Sequence, residues 1–575
     1  MGFYKQFFNL LNLKQKIKFI TLIFLSIIIL FLELLSIGLI IPLITLILEP
    51  EKFITNLNLK NLDYIEPIKY YLNSENFIFY FFLFFIFLFV VKNALILYNF
   101  YKQYEFIENI EINFSISIFK NYLSQKYPFF YTTKTSSLIT KLTADFHNFT
   151  IGFIGQIVTI ASETLIVFGF IFLIFYLNLY KVGAVFLVFF LIGLVVMKVI
   201  GSLSAKWGKD RTDFDHLKIN LLNDTFQNIK SVIIDNKKDD IVNRFSIYVK
   251  KLASINKKLF TSKAFPRSVF EIIGIVSLSS AIIFMIYLNY DKTYILTTAG
   301  FFVAVAYRVL PSFQKIIYCY QTINFSKVVL NSIERDIALQ KSIVNTKEKL
   351  EFKQTIKLKN ILFKYDDRKN LVLNNLNLKI QKGKSVGIYG DSGSGKSTLV
   401  DILSCLNEPD EGQILVDDVS INNNILVRKW QNQIAYVSQN TLLYDDTIAN
   451  NIALLEAESK NNSNEIWEVI EKVQLSNFIK TLPELLNTKV GEMGSKLSGG
   501  QIKRIGIARA LFKKPKLLIL DEATNALDKE TEGKILDMVF NLSKDITIVM
   551  ITHDMQLLKN VDIILKLENG KIVEK

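Results

Sequence analysis

One short run carries the residue types that hold a nucleoside triphosphate: Gly390, Asp391, Ser392, Gly393, Ser394, Gly395, Lys396, Ser397 and Thr398 are consecutive. Glycines at this spacing let backbone N–H groups curl around a β-phosphate, Lys396 adds charge at the β and γ oxygens, and the Ser397 hydroxyl reaches magnesium. The helix expected next points its positive end at the same anion. Downstream, the apolar run 517–520 reads as a buried strand ending in Asp521 and Glu522, one carboxylate for magnesium and one for water. A second apolar run, 549–551, leads to Thr552 and His553. In-line hydrolysis of ATP needs charge neutralisation and a positioned water more than covalent steps. Lys396 and a Mg2+ ion on Ser397 and Asp521 would neutralise the phosphates, Glu522 would polarise or deprotonate water, and His553 would hold Glu522 in register. Alone, Glu522 would read as a strand-end carboxylate in a salt bridge; Asp521 directly before it favours the catalytic reading. Ser498, Gly499, Gly500 and Gln501, after Leu497, open a further helix whose N-terminus also favours an anion. The chain's own phosphate loop already forms one such cradle, so this one needs a phosphate from elsewhere.

The elements that must position these residues fall into two unlike halves. Of 575 residues, 50% are hydrophobic, concentrated before about Leu330; the rest is ordinary α/β material. Six apolar runs reach the roughly 20 residues that a bilayer demands, at 18–48, 77–100, 151–177, 182–203, 270–288 and 294–317. The stretches 101–150 and 204–267 are polar, helix-patterned and rich in lysine, as is the N-terminal cluster of Lys5, Lys14, Lys16 and Lys18. The positive-inside bias puts both ends and both long loops in the cytoplasm. The net charge of +14 sits between the apolar runs, which suits anionic headgroups and membrane orientation better than nucleic acid. No cleaved signal peptide is expected, because the first run is too long and lacks a small-residue cleavage site. The expected organisation is a six-helix membrane domain over 1–333, a charged linker over 334–351 and an α/β nucleotide-binding domain over 352–575. Cys319 and Cys405 imply no disulfide framework. His147 and His216 lack metal-ligand spacing, so structural or solvent roles are expected.

Six spans with long cytoplasmic extensions, followed by these motifs in order, resemble an ABC exporter half-transporter over nearly the whole chain. The resemblance implies that Tyr365, in Phe363–Lys364–Tyr365, stacks on adenine, and that Gln439 senses magnesium and couples to the membrane domain. It implies that the 498–501 cradle contacts the γ-phosphate held by an opposing subunit, making a homodimer with two composite ATP sites. Residues 525–528 match the loop that communicates across such a dimer, with Asn525 where the family more often has Ser. Residues 488–494 match an exporter-type loop with Met493 in place of the usual arginine.

The cargo must be read from the membrane half. Charged residues in spans are costly and face a cavity or a helix end. Lys92, Arg267, Arg308 and Lys315 lie in or beside spans two, five and six, and Arg308 and Lys315, seven apart, share a helix face. Together they could form a basic belt; individually each could snorkel to the interface. Glu33, Glu163 and Glu271 are the acidic counterparts, for which interhelical pairing outweighs proton coupling. The segments 31–42, 265–267 and 307–312 resemble the lipid-linked oligosaccharide flippases of bacterial protein N-glycosylation. That implies a cargo with an isoprenoid tail and a pyrophosphate, moved across a bacterial inner membrane, and gives Ile65, Ile68 and Leu72 a place on a short external helix. The alternatives are an exporter of another lipid, a peptide or a drug and, from a different class, a nucleotide-gated channel or regulator. Intact Glu522 and His553 argue for turnover over gating.

Overall fold

The computed structural model describes residues 8, 11–40, 43, 75–176, 180–339, 346–365, 370–454, 462–524, 529–541 and 545–573. The external segment with Ile65, Ile68 and Leu72 and the 525–528 loop lie outside the described residues. The chain divides into two compact units, Met1–Leu123 with Thr133–Leu339, and Ser124–Thr132 with Gln340–Lys575.

The regular structure among the described residues of the first unit is all helical. Six candidate spans are found among them, Leu13–Gly38, Phe79–Leu123, Thr135–Tyr176, Phe190–Gln227, Lys238–Tyr287 and Tyr294–Leu330. Five of them outrun the apolar runs that announced them. The second span belongs to a single helix, Glu75–Leu123, the fourth to Tyr180–Gln227 and the sixth to Lys292–Ala338, so the expected loops 101–150 and 204–267 are largely continuations of spans. The last helix also carries past residue 333 into the expected linker, and Ser124–Thr132 packs with the second unit instead of the first. The third span is interrupted by π-helical turns at Lys141–Asp145 and Thr150–Gly155, a form concentrated at functional or strained places. Pro266 and Pro311 sit inside helices five and six, tolerated where neighbouring groups re-satisfy the freed carbonyls. The core mixes aromatic and aliphatic side chains: Phe170, Phe270, Phe301 and Val305 are fully buried. Phe84, Phe87, Phe172 and Ile275 are exposed, as side chains meant for hydrocarbon are.

The second unit is α/β. An antiparallel sheet in the order β2–β1–β4–β5 is built from β1 (Thr355–Phe363), β2 (Leu373–Gln381), β4 (Glu411–Val416) and β5 (Val419–Ser420). A second sheet runs β10–β9–β3–β8–β7–β6, with β3 (Ser385–Tyr389), β6 (Ile434–Val437), β7 (Leu517–Asp521), β8 (Thr547–Ile551), β9 (Ile563–Glu568) and β10 (Lys571–Val573). Strands β9, β3, β8, β7 and β6 are parallel, and β10 closes the edge antiparallel to β9. Every residue of β7 and β8 is buried, which is why both read as unbroken apolar runs.

Candidate functional site

Four neighbouring parallel strands deliver the site. In an open α/β sheet, ligands sit outside the carboxyl ends of the strands. Here β3 ends before Gly390, β8 before Thr552 and His553, β7 at Asp521 and β6 before Ser438 and Gln439. The pairings Ile388 with Ile551, Asp521 with Ile551 and Val437 with Leu520 bring those ends level.

The phosphate loop is set by its backbone. Gly393 and Gly395 have φ of +83° and +104°, left-handed values that side-chain-bearing residues avoid, and a Cβ on Gly390 would lie 2.2 Å from the Leu567 carbonyl oxygen. Gly395 caps the helix Lys396–Leu403, aiming its N-terminus at the loop. Lys396 Nζ donates to the carbonyl oxygens of Gly390 and Asp391 at 2.7 and 2.8 Å, holding the ammonium over the place where phosphate oxygens would replace those carbonyls. Ser394 is buried and its Oγ has no hydrogen-bond partner. Ser397 and Thr398 follow on the first turn, and Tyr365 reaches Thr398, hydroxyl to hydroxyl, at 3.1 Å. Tyr131, from Ser124–Thr132, meets the Tyr365 ring edge-on at 6.0 Å.

Glu522 joins three strand ends. Its Oε2 accepts from Gln439 Nε2 at 2.7 Å and its Oε1 lies 3.1 Å from His553 Nδ1. Asp521 is buried and accepts from the Tyr436 hydroxyl at 3.0 Å. Burial raises its pKa, partly offset by the Tyr436 hydroxyl and by the Lys396 and Lys503 ammonium groups. Burial and the neighbouring Asp521 lift Asp401 to about 6. Lys503 donates to the Ser438 and Gln439 carbonyls, and burial lowers its pKa.

The donor set fits magnesium by type. Asp521 offers a carboxylate, Ser397 a hydroxyl, and Gln439, whose amide nitrogen is turned to Glu522, its remaining carbonyl oxygen. Hard oxygen ligands completed by water and phosphate are what Mg2+ takes.

The Leu497–Gln501 segment forms a capped helix start. Ser498 Oγ accepts from the Gln501 backbone N–H at 3.3 Å, Gln501 Oε1 accepts from the Ser498 N–H at 2.8 Å, and the helix Gly499–Phe512 follows. Met493, in the loop before it, is exposed at φ 50°.

In the membrane unit, spans one, two, three and six border a half-open cavity of about 270 Å³, and Lys92, Arg308 and Lys315 line it. The bases are not bare. Arg308 donates to Glu33 Oε1 at 2.8 Å, Lys315 donates to Glu163 Oε1 at 2.7 Å, and the Lys92 ammonium stands 4.1 Å over the Phe89 ring. Two of the acidic residues therefore pair across helices. Arg267 does not join this group: its side chain is 73% exposed, bonded to Glu271 one turn along its own helix and absent from the cavity wall. A belt of four bases is thus corrected to three cavity cations with two carboxylates. His147 lies 3.0 Å from Glu111, and His216 3.4 Å from Asp145.

Sequence reasoning gave no role to Tyr436, Lys503 or Tyr131. Tyr436 lies in a strand valued only for leading to Gln439, Lys503 follows a motif already assigned, and Tyr131 is distant in sequence from Tyr365, the site residue it meets.

The chain matches two families, "ABC transporter transmembrane region" over residues 16–307 and "ABC transporter" over residues 373–525. It is similar to an "ATP-dependent lipid A-core flippase" of Pectobacterium atrosepticum, at 30% identity over 81% of this chain and 80% of that one. A relative of the same description from Idiomarina loihiensis is 32% identical over 77% of this chain and 75% of its own length. Among solved structures, a bacterial Atm1-family ABC exporter with ATP bound superposes with a TM-score of 0.77 over 98% of this chain and 94% of that one, at 20% identity, a likeness of fold. With six spans, a complete phosphate loop and these relatives, the chain belongs to the ABC transporters as an exporter half-transporter, a multi-pass membrane ATPase that couples ATP hydrolysis to transport.

Proposed function

We propose that this exporter works as a homodimer in a bacterial inner membrane, with both chain ends cytoplasmic, and flips a polyprenyl-pyrophosphate-linked oligosaccharide outward. Each composite site uses Lys396 and the phosphate-loop amides of one subunit and the Ser498–Gln501 cradle of the other. Tyr365 stacks on adenine. Ser397, Gln439 and Asp521 would hold Mg2+, which would supply charge neutralisation for the phosphates. Glu522 takes the proton of the attacking water, and His553 and Gln439 orient it.

The cargo reading rests on one observation: Lys92, Arg308 and Lys315 line a single cavity among the spans. Guanidinium and ammonium groups there suit a pyrophosphate, whose charge is otherwise costly beside hydrocarbon. The pairs with Glu33 and Glu163 mean that the anion must exchange with, or share, a carboxylate. Arg267 is assigned no cargo contact. A second reading, transport of lipid A-core itself, is favoured by the similarity to lipid A-core flippases.

Reconstitution separates the readings. Wild-type protein in liposomes should flip a polyprenyl-pyrophosphate glycolipid, with ATP hydrolysis stimulated more by it than by lipid A-core or by an unrelated amphiphile. Arg308→Gln should cut that flipping at least tenfold and Arg308→Lys restore part of it, lacking the planar fork. Equal transport by Arg308→Gln, or a preference for lipid A-core, would reject the pyrophosphate reading.

A further inference from the structure

The cavity between spans one, two, three and six has three buried acceptor atoms on its wall that no side chain reaches. Glu33 and Glu163 have side chains only 2% and 7% exposed. In each, one carboxylate oxygen takes the cation and the other, Oε2, has no hydrogen-bond partner; Asn99 Oδ1 is likewise buried and unpartnered. Leaving a buried acceptor unpaired is costly, and more so when it is charged. Three such atoms on one cavity are an unmet demand for hydrogen-bond donors.

Asn99 is oriented by its neighbours. The Ser26 and Ser162 hydroxyls stand 3.0 Å apart, and each also reaches a carbonyl one turn back on its own helix, Leu22 for Ser26 and Val158 for Ser162. With their protons directed at those carbonyls or at each other, the Ser26 oxygen accepts from Asn99 Nδ2 and the Ser162 oxygen from Gln103 Nε2, both at 3.3 Å. With its amino group spent on Ser26, Asn99 keeps its carbonyl for the cavity.

Charge selects among donor-bearing ligands. Lys92, Arg308 and Lys315 outnumber Glu33 and Glu163 on the wall, so a cation is disfavoured. A group that is neutral or anionic as a whole yet rich in O–H donors satisfies the acceptors without opposing the field. Phe100 and Ile166, also on the wall, offer apolar surface to the C–H face of a ring. The volume of about 270 Å³ lies just under the 300–1,000 Å³ range of small-molecule pockets, suiting one ring more than an extended glycan.

We propose that Glu33, Asn99 and Glu163 form a hydroxyl-recognition site that takes one sugar ring of an amphiphile, beside the cations Lys92, Arg308 and Lys315. The cations read phosphate and the orphan acceptors read sugar. This deepens the glycolipid reading and rests on it for its biological meaning, but the site's chemistry is separable from pyrophosphate.

The test uses full-length protein in lipid nanodiscs and two pairs of probes. One pair is polyprenyl pyrophosphate with and without a single N-acetylhexosamine. The other is an alkyl glucoside and a polyoxyethylene ether of the same alkyl chain, the latter offering acceptors but almost no donors. The concentration giving half-maximal change in ATP hydrolysis is read for each. Wild type should favour the sugar-bearing member of each pair. Asn99→Leu should raise the half-maximal concentration of the sugar-bearing probes roughly five- to tenfold, the worth of one hydrogen bond, and leave their sugar-free partners unmoved. Glu163→Gln should produce a crossing: weaker response to the alkyl glucoside, because an acceptor oxygen becomes an N–H₂ donor, and stronger response to bare polyprenyl pyrophosphate, because Lys315 is released. A general packing defect cannot move the two probes in opposite directions. If wild type ignores both pyrophosphate lipids yet prefers the glucoside through Asn99, the pyrophosphate reading fails and this one stands. Equal response to glucoside and polyoxyethylene ether, or equal shifts for both members of a pair in the variants, would mean that water fills the acceptors and would overturn the proposal.

Discussion

Glu522 holds φ at +45°, a left-handed conformation uncommon outside glycine and costing about 1–3 kcal/mol at a non-glycine residue. The turn follows directly on the buried β7 strand, and the Glu522 N–H donates to the Ile551 carbonyl at 2.9 Å, so the sheet edge imposes it. The consequence is a carboxylate only 15% exposed and held from both sides by Gln439 and His553. Glu522→Gln keeps this shape and removes the charge that accepts a proton. Turnover should fall by roughly 10²–10⁴ while ATP binding persists, measured as hydrolysis and nucleotide affinity on the same preparation; near-normal turnover would remove Glu522 from the chemistry. Lys396→Ala should instead weaken nucleotide binding itself, because its ammonium meets phosphate in the ground state. That these residues would meet at the strand ends was legible in the sequence because each motif pairs a rare backbone need with a fixed reactive side chain. The cavity was legible only by halves: charge in a span announces a cavity, but which base meets which acid depends on helix rotation. Arg308 and Arg267 look alike in sequence, yet Arg308 pairs across helices and Arg267 along its own.

Among elements, β3 carries the phosphate loop, and its start is anchored by one carboxylate. Asp562 accepts from the Ser385 N–H and the Ser385 hydroxyl, each at 2.8 Å, and from Lys384 Nζ at 2.9 Å. These bonds, led by the Ser385 backbone N–H, pull its pKa down to about 2, below the roughly 3.9 of an unfolded aspartate. A lowered carboxylate pKa means that the folded state binds fewer protons than the unfolded one, so the stabilisation is complete above the unfolded value. It drains away as pH falls through 4 toward 2. Asp562→Asn should cost about 1–2 kcal/mol at pH 7, a charge-assisted bond discounted for partial exposure, and the gap to wild type should close on acidification. Thermal denaturation across pH checks it; a gap independent of pH would assign the loss to packing. Strands and loops at this scale were readable because polarity changes where they end. The ends of the membrane helices were not, since hydropathy stops at the first charges while backbone hydrogen bonding continues, as from Phe100 through to Leu123. The π-helical turns inside the third span carried no compositional mark at all.

At the scale of the whole molecule, the two halves were separable from hydropathy alone, but the membership of Ser124–Thr132 was not. That short stretch leaves one unit and packs with the other, carrying Lys126 to Glu408 at 2.6 Å and Tyr131 to Tyr365, contacts made far along the chain from its sequence neighbours. The Ser498–Gln501 cradle raises the larger question of assembly. It is a formed and capped helix start, but one chain has one phosphate loop, so its anion is expected from a second copy. If so, lesions can complement in one direction only. Ser498→Arg in one subunit disables the site whose Lys396 belongs to the other. Pairing it with a Lys396→Ala subunit puts both lesions on the same composite site and leaves the second site whole. Hydrolysis by purified mixed dimers, tagged separately on the two chains, should therefore exceed that of either homodimeric variant by far more than their mean. Were each chain to close its own cradle on its own phosphate loop, both sites of the mixed dimer would carry one lesion and activity would stay at the level of the parents, which would overturn the composite-site reading.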